Sequence, residues 1–137
     1  MRKFFLPILG LGLLLAAGCS SDRDPKLAAV KRGIDRARCQ LTEAAAQFDT
    51  LRGFPRSLMP KFREVDPKDW TSGFFPGSLW EAYRLTGDDN LRAAAEKYTG
   101  RLEGIQYYKG THDLGFMVFC SYGQQQAALG DPCLLYT

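Results

Sequence analysis

The single histidine of the chain stands beside an aspartate, His112-Asp113, at the start of the apolar segment Leu114-Gly115-Phe116-Met117-Val118-Phe119-Cys120. A carboxylate and an imidazole at the edge of apolar surface are a common acid/base arrangement. The apolar side moves proton affinities into the working range, and the open side lets substrate in. Asp113 has a second reading from the residues alone. An Asp directly before a helical run is a good N-cap, a role that contributes about 0.5–2 kcal/mol and needs no further purpose. The two roles are compatible, because a helix N-terminus favours the ionised carboxylate. A charged Asp113 would suit positioning, or raising the proton affinity of a second carboxyl group nearby. His112 by itself reads as a hydrogen-bonded structural residue as readily as a substrate contact.

Trp70 is the third residue of interest. It lies in Asp69-Trp70-Thr71-Ser72-Gly73, a polar segment ended by glycine. That is an unusual setting for a core aromatic, which is the default reading of a tryptophan. Cys120-Ser121-Tyr122 resembles a nucleophile cluster in residue type only, since no second histidine exists to activate it. Cys120 and Cys39 read as small core residues, and Tyr122 is left without a role. Without CxxC or histidine-rich spacing a zinc site has no support, and neither metal nor organic cofactor is expected.

These residues need elements to hold them. Asp24-Pro25 is a helix start, Asp as N-cap and Pro in the first turn. Leu27, Val30, Ile34, Ala37, Leu41, Ala44, Phe48 and Leu51 follow at steps of three and four, predicting an amphipathic helix that Gly53 ends. Residues 53–73 hold Pro55, Pro60 and Pro67 without a lasting period, and predict a long irregular connection without a strand. Within it, Lys61-Phe62-Arg63 reads as a solvated surface. A second helix runs from about Phe74 to Leu85, with Leu79, Trp80 and Tyr83 as its core face and Gly87 as its stop. A third, capped by Asp88 or Asp89, places Leu91, Ala94, Ala95, Tyr98, Leu102 and Ile105 on one side. The fourth, Leu114 to Leu129, is apolar almost all round in its first two turns, which predicts burial. Gly87-Asp88 and Gly130-Asp131 stand 43 residues apart and each follows an apolar helix. They form a weak repeat of helical hairpins, as in a solenoid or an α/α barrel.

A hydrophobic fraction of 45% with 24% charged residues is that of a globular domain, and the formal charge of +3 is dispersed among acids, which argues against a nucleic-acid partner. Residues 1–19 read as a targeting segment: Arg2 and Lys3, an apolar run from Phe4 to Leu15 too short to span a bilayer, then Ala16-Ala17-Gly18-Cys19. Small residues before a cysteine resemble a bacterial lipobox, in which Cys19 becomes the lipidated N-terminus. An ordinary secretory peptide cut near Gly18 is the other reading. Lipidation places the protein on the bacterial cell envelope, anchored at the periplasmic side or the cell surface, with residues 20–26 as a polar tether to a domain over 27–132. Cys133-Leu134-Leu135-Tyr136-Thr137 resembles a translated library adapter, so the natural sequence is expected to depart from this one near Pro132.

Trp70-Thr71-Ser72-Gly73-Phe74-Phe75-Pro76-Gly77-Ser78-Leu79-Trp80, then Leu85-Thr86-Gly87-Asp88, His112-Asp113-Leu114-Gly115-Phe116-Met117 and Cys120-Ser121-Tyr122-Gly123 resemble glycoside hydrolase family 88, the unsaturated glucuronyl hydrolases. The resemblance spans about residues 27–131. It implies an all-α chain forming the N-terminal part of an (α/α)₆ barrel, left incomplete, of which this chain supplies the first two hairpins or so. It also implies substrates that polysaccharide lyases leave with a 4,5-unsaturated uronic acid at the non-reducing end. In that family an Asp protonates the vinyl-ether double bond and activates water, and the resulting hemiketal opens to release the next sugar. By the same resemblance Asp113 is one of two essential aspartates, the second lying beyond residue 137. His112 adjoins the uronate, and Trp70 packs on the sugar. Phe75 is given no role.

The rival from another class is a lipid-anchored helical-repeat module that holds glycans or proteins without chemistry. Downstream sequence separates the two: the enzyme requires further hairpins and a second essential Asp. Sequencing the genomic locus is expected to show the native gene diverging after Pro132. A gene encoding the last five residues followed by a stop would overturn that expectation.

Overall fold

The computed structural model describes residues 24–50, 52–57 and 62–130. The targeting segment with Cys19, residues 20–23 of the tether, Leu51, Pro60, Lys61 and residues 131–137 lie outside the described residues. Helix α1 spans Pro25–Gln47, strands β1 and β2 span Phe54–Ser57 and Arg63–Val65, α2 spans Phe74–Thr86, and α3 spans Asp89–Gly100. A 3₁₀ turn, Ile105–Tyr107, precedes α4 (Leu114–Val118), a π-helical segment (Phe119–Gly123) and α5 (Gln124–Leu129). No helix among the described residues is long and apolar enough to cross a membrane.

The helix boundaries follow the expected caps. Asp24 accepts the Lys26 N–H at 2.8 Å, and Asp88 accepts that of Asn90 at 3.0 Å. Both residues have the extended backbone a capping side chain needs. Helix α1 therefore starts inside the expected tether, and it stops at Gln47, before Gly53. Gly87 and Gly130 end α2 and α5 in the left-handed region, at φ 68° and 70°, so the weak repeat has a backbone counterpart at both glycines.

Four departures from the sequence expectations have physical causes. The connection after α1 holds a two-stranded antiparallel sheet, pairing Phe54 with Val65 and Pro55 with Glu64, with a bulge between Pro55 and Ser57. Strands of four and three residues are too short to show a period, and Phe54 and Val65 are buried by pairing rather than by pattern. The fourth helix is not continuous, because α4 and α5 are joined by the π turn. It is also not buried all round: Met117 and Ser121 face inward while Phe116 and Phe119 are exposed. One of its faces meets α2, while on the other Phe116 touches Trp70 and Phe74 and Phe119 stays exposed. Finally, Cys39 is exposed, since α1 turns Leu41 and Ala45 toward the core instead.

Tyr98 is the hub of the core. Its hydroxyl donates to the Phe48 carbonyl at 2.7 Å. Its ring meets Phe75 edge-on at 4.7 Å and Phe54 at 6.0 Å, and the Arg101 guanidinium lies 4.2 Å from its centroid. Arg101 in turn donates to the Gly53 carbonyl at 3.1 Å. Trp80, fully buried as expected, donates its indole N–H to Thr99 Oγ1 at 2.9 Å and ties α2 to α3. Tyr83, expected beside it, is only partly buried.

Two glycines set the distance between α2 and the segment after Asp113. A Cβ at Gly73 would strike the carbonyl oxygen of Phe116 and stand 2.6 Å from that of Met117; one at Gly77 would strike the carbonyl oxygen of Cys120. Gly33, midway along α1, has open space around it. Gly77→Ala is expected to destabilise the intact gene product by about 1–3 kcal/mol through overpacking. Gly33→Ala is expected to stabilise it by about 0.5–1 kcal/mol through helix propensity. Urea unfolding of both variants checks the contrast; equal effects would refute the close approach.

Candidate active site

The loop before α2 is a run of consecutive turns. The Asp69 N–H donates to the Asp66 carbonyl, Ser72 N–H to that of Asp69, and Phe74 N–H to that of Thr71, at 2.9 to 3.1 Å. Buried Ser72 anchors the run by donating its hydroxyl to the Pro67 carbonyl at 2.9 Å. Asp69 Oδ1 accepts both the Thr71 N–H at 2.9 Å and the Thr71 hydroxyl at 2.5 Å, while its Oδ2 accepts from Arg56 on β1 at 2.9 Å.

This framework holds Trp70 at the surface, 41% exposed. Its ring meets Phe74 at 5.8 Å, nearly perpendicular, and Phe116 at 6.0 Å. Phe74 and Phe116 are themselves 5.9 Å apart. The Arg56 guanidinium lies 5.6 Å from the Trp70 centroid. Three aromatic rings from two separate segments thus form one open surface, and Gly73 lets the segments approach.

Phe116 carries the cluster to the His112-Asp113 pair. Its N–H donates to the Asp113 carbonyl at 3.0 Å, closing the first turn of α4. Asp113 does not cap that helix as expected: φ −92° and ψ 17° are not the extended conformation of Asp24 and Asp88, and its side chain makes no capping bond. The Asp113 N–H is held by Thr111 Oγ1 at 3.0 Å. The carboxylate, largely shielded, lies 3.5 Å from Nε2 of a His112 that is 95% exposed. The pair is an open contact at the rim, not a buried dyad, and a substrate can reach the imidazole freely. Trp70 joins the pair through Phe116.

The cysteine-serine-tyrosine cluster is not reactive. Ser121 is buried and donates its hydroxyl to the Met117 carbonyl at 2.5 Å, inside the π turn. Burial pushes the Cys120 thiol up, away from the thiolate a nucleophile needs. Burial, helped by Glu103, also raises the Tyr122 phenol. Among the described residues no group of three His, Cys, Asp or Glu side chains is placed to hold a metal. A cavity of about 1010 Å³ opens beside α1, lined by Leu41, Phe48, Gly77, Cys120 and Gln124 among others, and touches the aromatic cluster at Phe74. His112, Asp113 and Trp70 stand outside it, so this cavity and the candidate chemistry do not coincide.

Arg56, Asp69, Phe74 and Phe116 were not singled out by sequence. The Asp-x-Thr spacing at Asp69 is a recognisable local hydrogen-bonding signal. Arg56 has none, because its place depends on the sheet.

Comparison with known proteins gives a consistent result. No family model matches the chain. The unsaturated glucuronyl hydrolase of Formosa agariphila is 36% identical over 135 residues, covering 90% of this chain and 33% of that protein. The unsaturated chondroitin disaccharide hydrolase of Streptococcus agalactiae is 28% identical over 106 residues, 74% of this chain and 26% of that protein. A crystal structure of an unsaturated glucuronyl hydrolase specific for heparin superposes with a TM-score of 0.70 at 48% identity, over 77% of this chain and 29% of that one. The chain thus spans about a third of the length of the first of these curated relatives and a quarter of the second, and its hairpins are part of an α/α barrel.

Burial alone would raise the Asp69 carboxyl, but the two Thr71 hydrogen bonds and the charges of Arg56 and Arg63 outweigh it and hold the group below the usual carboxylate range. Asp49 is lowered by the Lys97 bond and charge, and Asp88 by the Asn90 N–H, partly opposed by burial. A lowered native value contributes stability that is complete above the ordinary carboxylate value and is lost as pH falls through the native one. The urea midpoint of the intact gene product is therefore expected to hold from about pH 7 to 5 and drop below about pH 4. Asp69→Asn should shrink that drop; an unchanged profile in the variant would refute the assignment.

Proposed function

We propose that this chain, which is like the unsaturated glucuronyl hydrolases of glycoside hydrolase family 88 over the residues it shares with them, supplies one carboxylate and the sugar-stacking surface of such an enzyme. The observation that carries the proposal is Asp113. It stands where a capping Asp would stand, yet its carboxylate is withheld from the helix and faces His112 at the rim of an exposed aromatic surface. A stabilising contribution is given up there, as is common where a residue serves substrate instead.

The substrate is an oligosaccharide ending in a 4,5-unsaturated glucuronic acid, of the kind polysaccharide lyases produce from glycosaminoglycans or similar polyuronides. The uronate ring stacks on Trp70. His112, fully open to solvent, donates a hydrogen bond to the sugar. Addition of water across the vinyl ether places a proton on C4 and hydroxyl on C5. The hemiketal so formed opens, breaks the glycosidic link and releases the next sugar. Asp113 serves as one carboxylate of the pair that moves this proton, beside a second aspartate of the full enzyme. The enzyme is a lipoprotein of the bacterial cell envelope, attached through Cys19. Acyl chains bury methylenes at about 0.8 kcal/mol each, enough together to hold it at the membrane.

The chain of 137 residues alone is expected to be inactive. It exposes Phe116, Phe119 and Leu85, and such apolar surface favours aggregation.

The test uses the full gene product and unsaturated disaccharides, following loss of the ultraviolet absorbance of the conjugated double bond. Asp113→Asn should lower kcat by about 10²- to 10⁴-fold and change unfolding free energy by less than about 0.5 kcal/mol, because no cap is lost. No absorbance loss by the unmutated protein across several substrates would sink the proposal. So would an Asp113→Asn variant that is destabilised but active.

A further inference from the structure

The Trp70 ring raises a question that stacking alone does not answer. An indole 41% exposed on a surface loop would ordinarily sample several rotamers, and a sugar would have to order it on binding. Here the ring is braced on several sides. Phe74 and Phe116 meet it edge-on from α2 and α4. The Arg56 guanidinium, reaching from β1, lies 5.6 Å from its centroid. Arg56 is a long side chain and is itself held: its Nη1 donates to Asp69 Oδ2 at 2.9 Å. Asp69 is held by Thr71, through both its N–H and its hydroxyl on Oδ1. Thr71 directly follows Trp70, so the chain of contacts closes on itself.

We propose that Arg56 and Asp69 are positioning residues that clamp the Trp70 ring into a preformed stacking surface for a sugar. The inference rests on the reading that this site takes unsaturated uronate oligosaccharides, and it adds two residues to that site. Neither is in the hydrophobic core, and the ion pair is partly open to solvent, with side-chain exposures of 27% and 19%. Such pairs contribute little to global stability. The contacts are directed at one exposed ring instead. Preorganisation of this kind strengthens binding by removing the cost of ordering the surface, and it leaves the chemical step nearly untouched. Arginine fits the role because its planar group can face an aromatic ring while donating in-plane to a carboxylate, a geometry lysine lacks.

The experiment compares Arg56→Met, Arg56→Lys and Asp69→Asn in the full gene product. KM and kcat for an unsaturated disaccharide are measured beside acrylamide quenching of Trp70 without substrate, the latter isolated by subtracting a Trp70→Phe background. Arg56→Met and Asp69→Asn are expected to raise KM about two- to fivefold with kcat within about twofold. Both should increase Trp70 quenching. Arg56→Met should leave the thermal midpoint in place at neutral pH, while Asp69→Asn lowers it slightly, because the stability held by the ionised Asp69 carboxylate is lost. Arg56→Lys should fall between these variants and the unmutated protein. Unchanged quenching and unchanged KM would overturn the clamp. A lowered thermal midpoint with unchanged quenching would also overturn it, leaving the pair a brace between β1 and the loop. If the unmutated protein consumes no unsaturated disaccharide, the functional reading fails, while quenching in Arg56→Met still decides the clamp.

Discussion

The absence of two methyl groups governs where the site can form. At Gly73 and Gly77 the start of α2 rests directly on the carbonyl oxygens of Phe116, Met117 and Cys120. Any Cβ there would push the two segments apart. Phe74 and Phe116 would then separate, and the Trp70 ring would lose its edge contacts. The spacing of four residues puts both glycines on one side of the helix, so a single stripe of backbone serves as the contact surface. The π turn lies beside this close approach. Ser121, buried within it, satisfies its hydroxyl on the Met117 carbonyl, and Cys120 sets its carbonyl oxygen against Gly77.

Asp24, Asp88 and Asp113 all precede helices, and only the first two cap them. The difference is in the backbone, not the residue type. Asp24 and Asp88 are extended, which lets the carboxylate fold over the first turn. Asp113 is held by its N–H bond to Thr111 in a conformation that turns the carboxylate toward His112. Two neighbouring polar residues thereby decide whether the same side chain caps the helix or faces outward.

Much of the fold was legible in the residues. The caps at Asp24 and Asp88, the stops at Gly87 and Gly130 and the buried face of Leu79 and Trp80 follow from local periodicity and capping chemistry. Asp113, His112 and Trp70 stood out by type and setting, and the structure brings them to one surface through Phe116. What sequence did not show was non-local. The sheet depends on Phe54 meeting Val65 across an irregular stretch, and Arg56 acquires its partners only once that sheet exists. The exposure of Phe116 and Phe119 depends on which neighbours a helix has, which periodicity cannot report. Cys39 was misplaced for the same reason: an apolar-looking position on α1 is buried only where α2 lies against it.

Tyr98 has a consequence for how separable the core is from the candidate site. Its hydroxyl and ring contacts reach Phe48, Phe54, Phe75 and Arg101, and Arg101 reaches back to Gly53. Every one of these partners is translated before residue 102. The contacts around Tyr98 therefore involve neither His112 nor Asp113, and substitutions at those two positions leave this knot intact. The core and the candidate site are thus separable, joined where the segment after Asp113 rests on the surface set by Gly73 and Gly77.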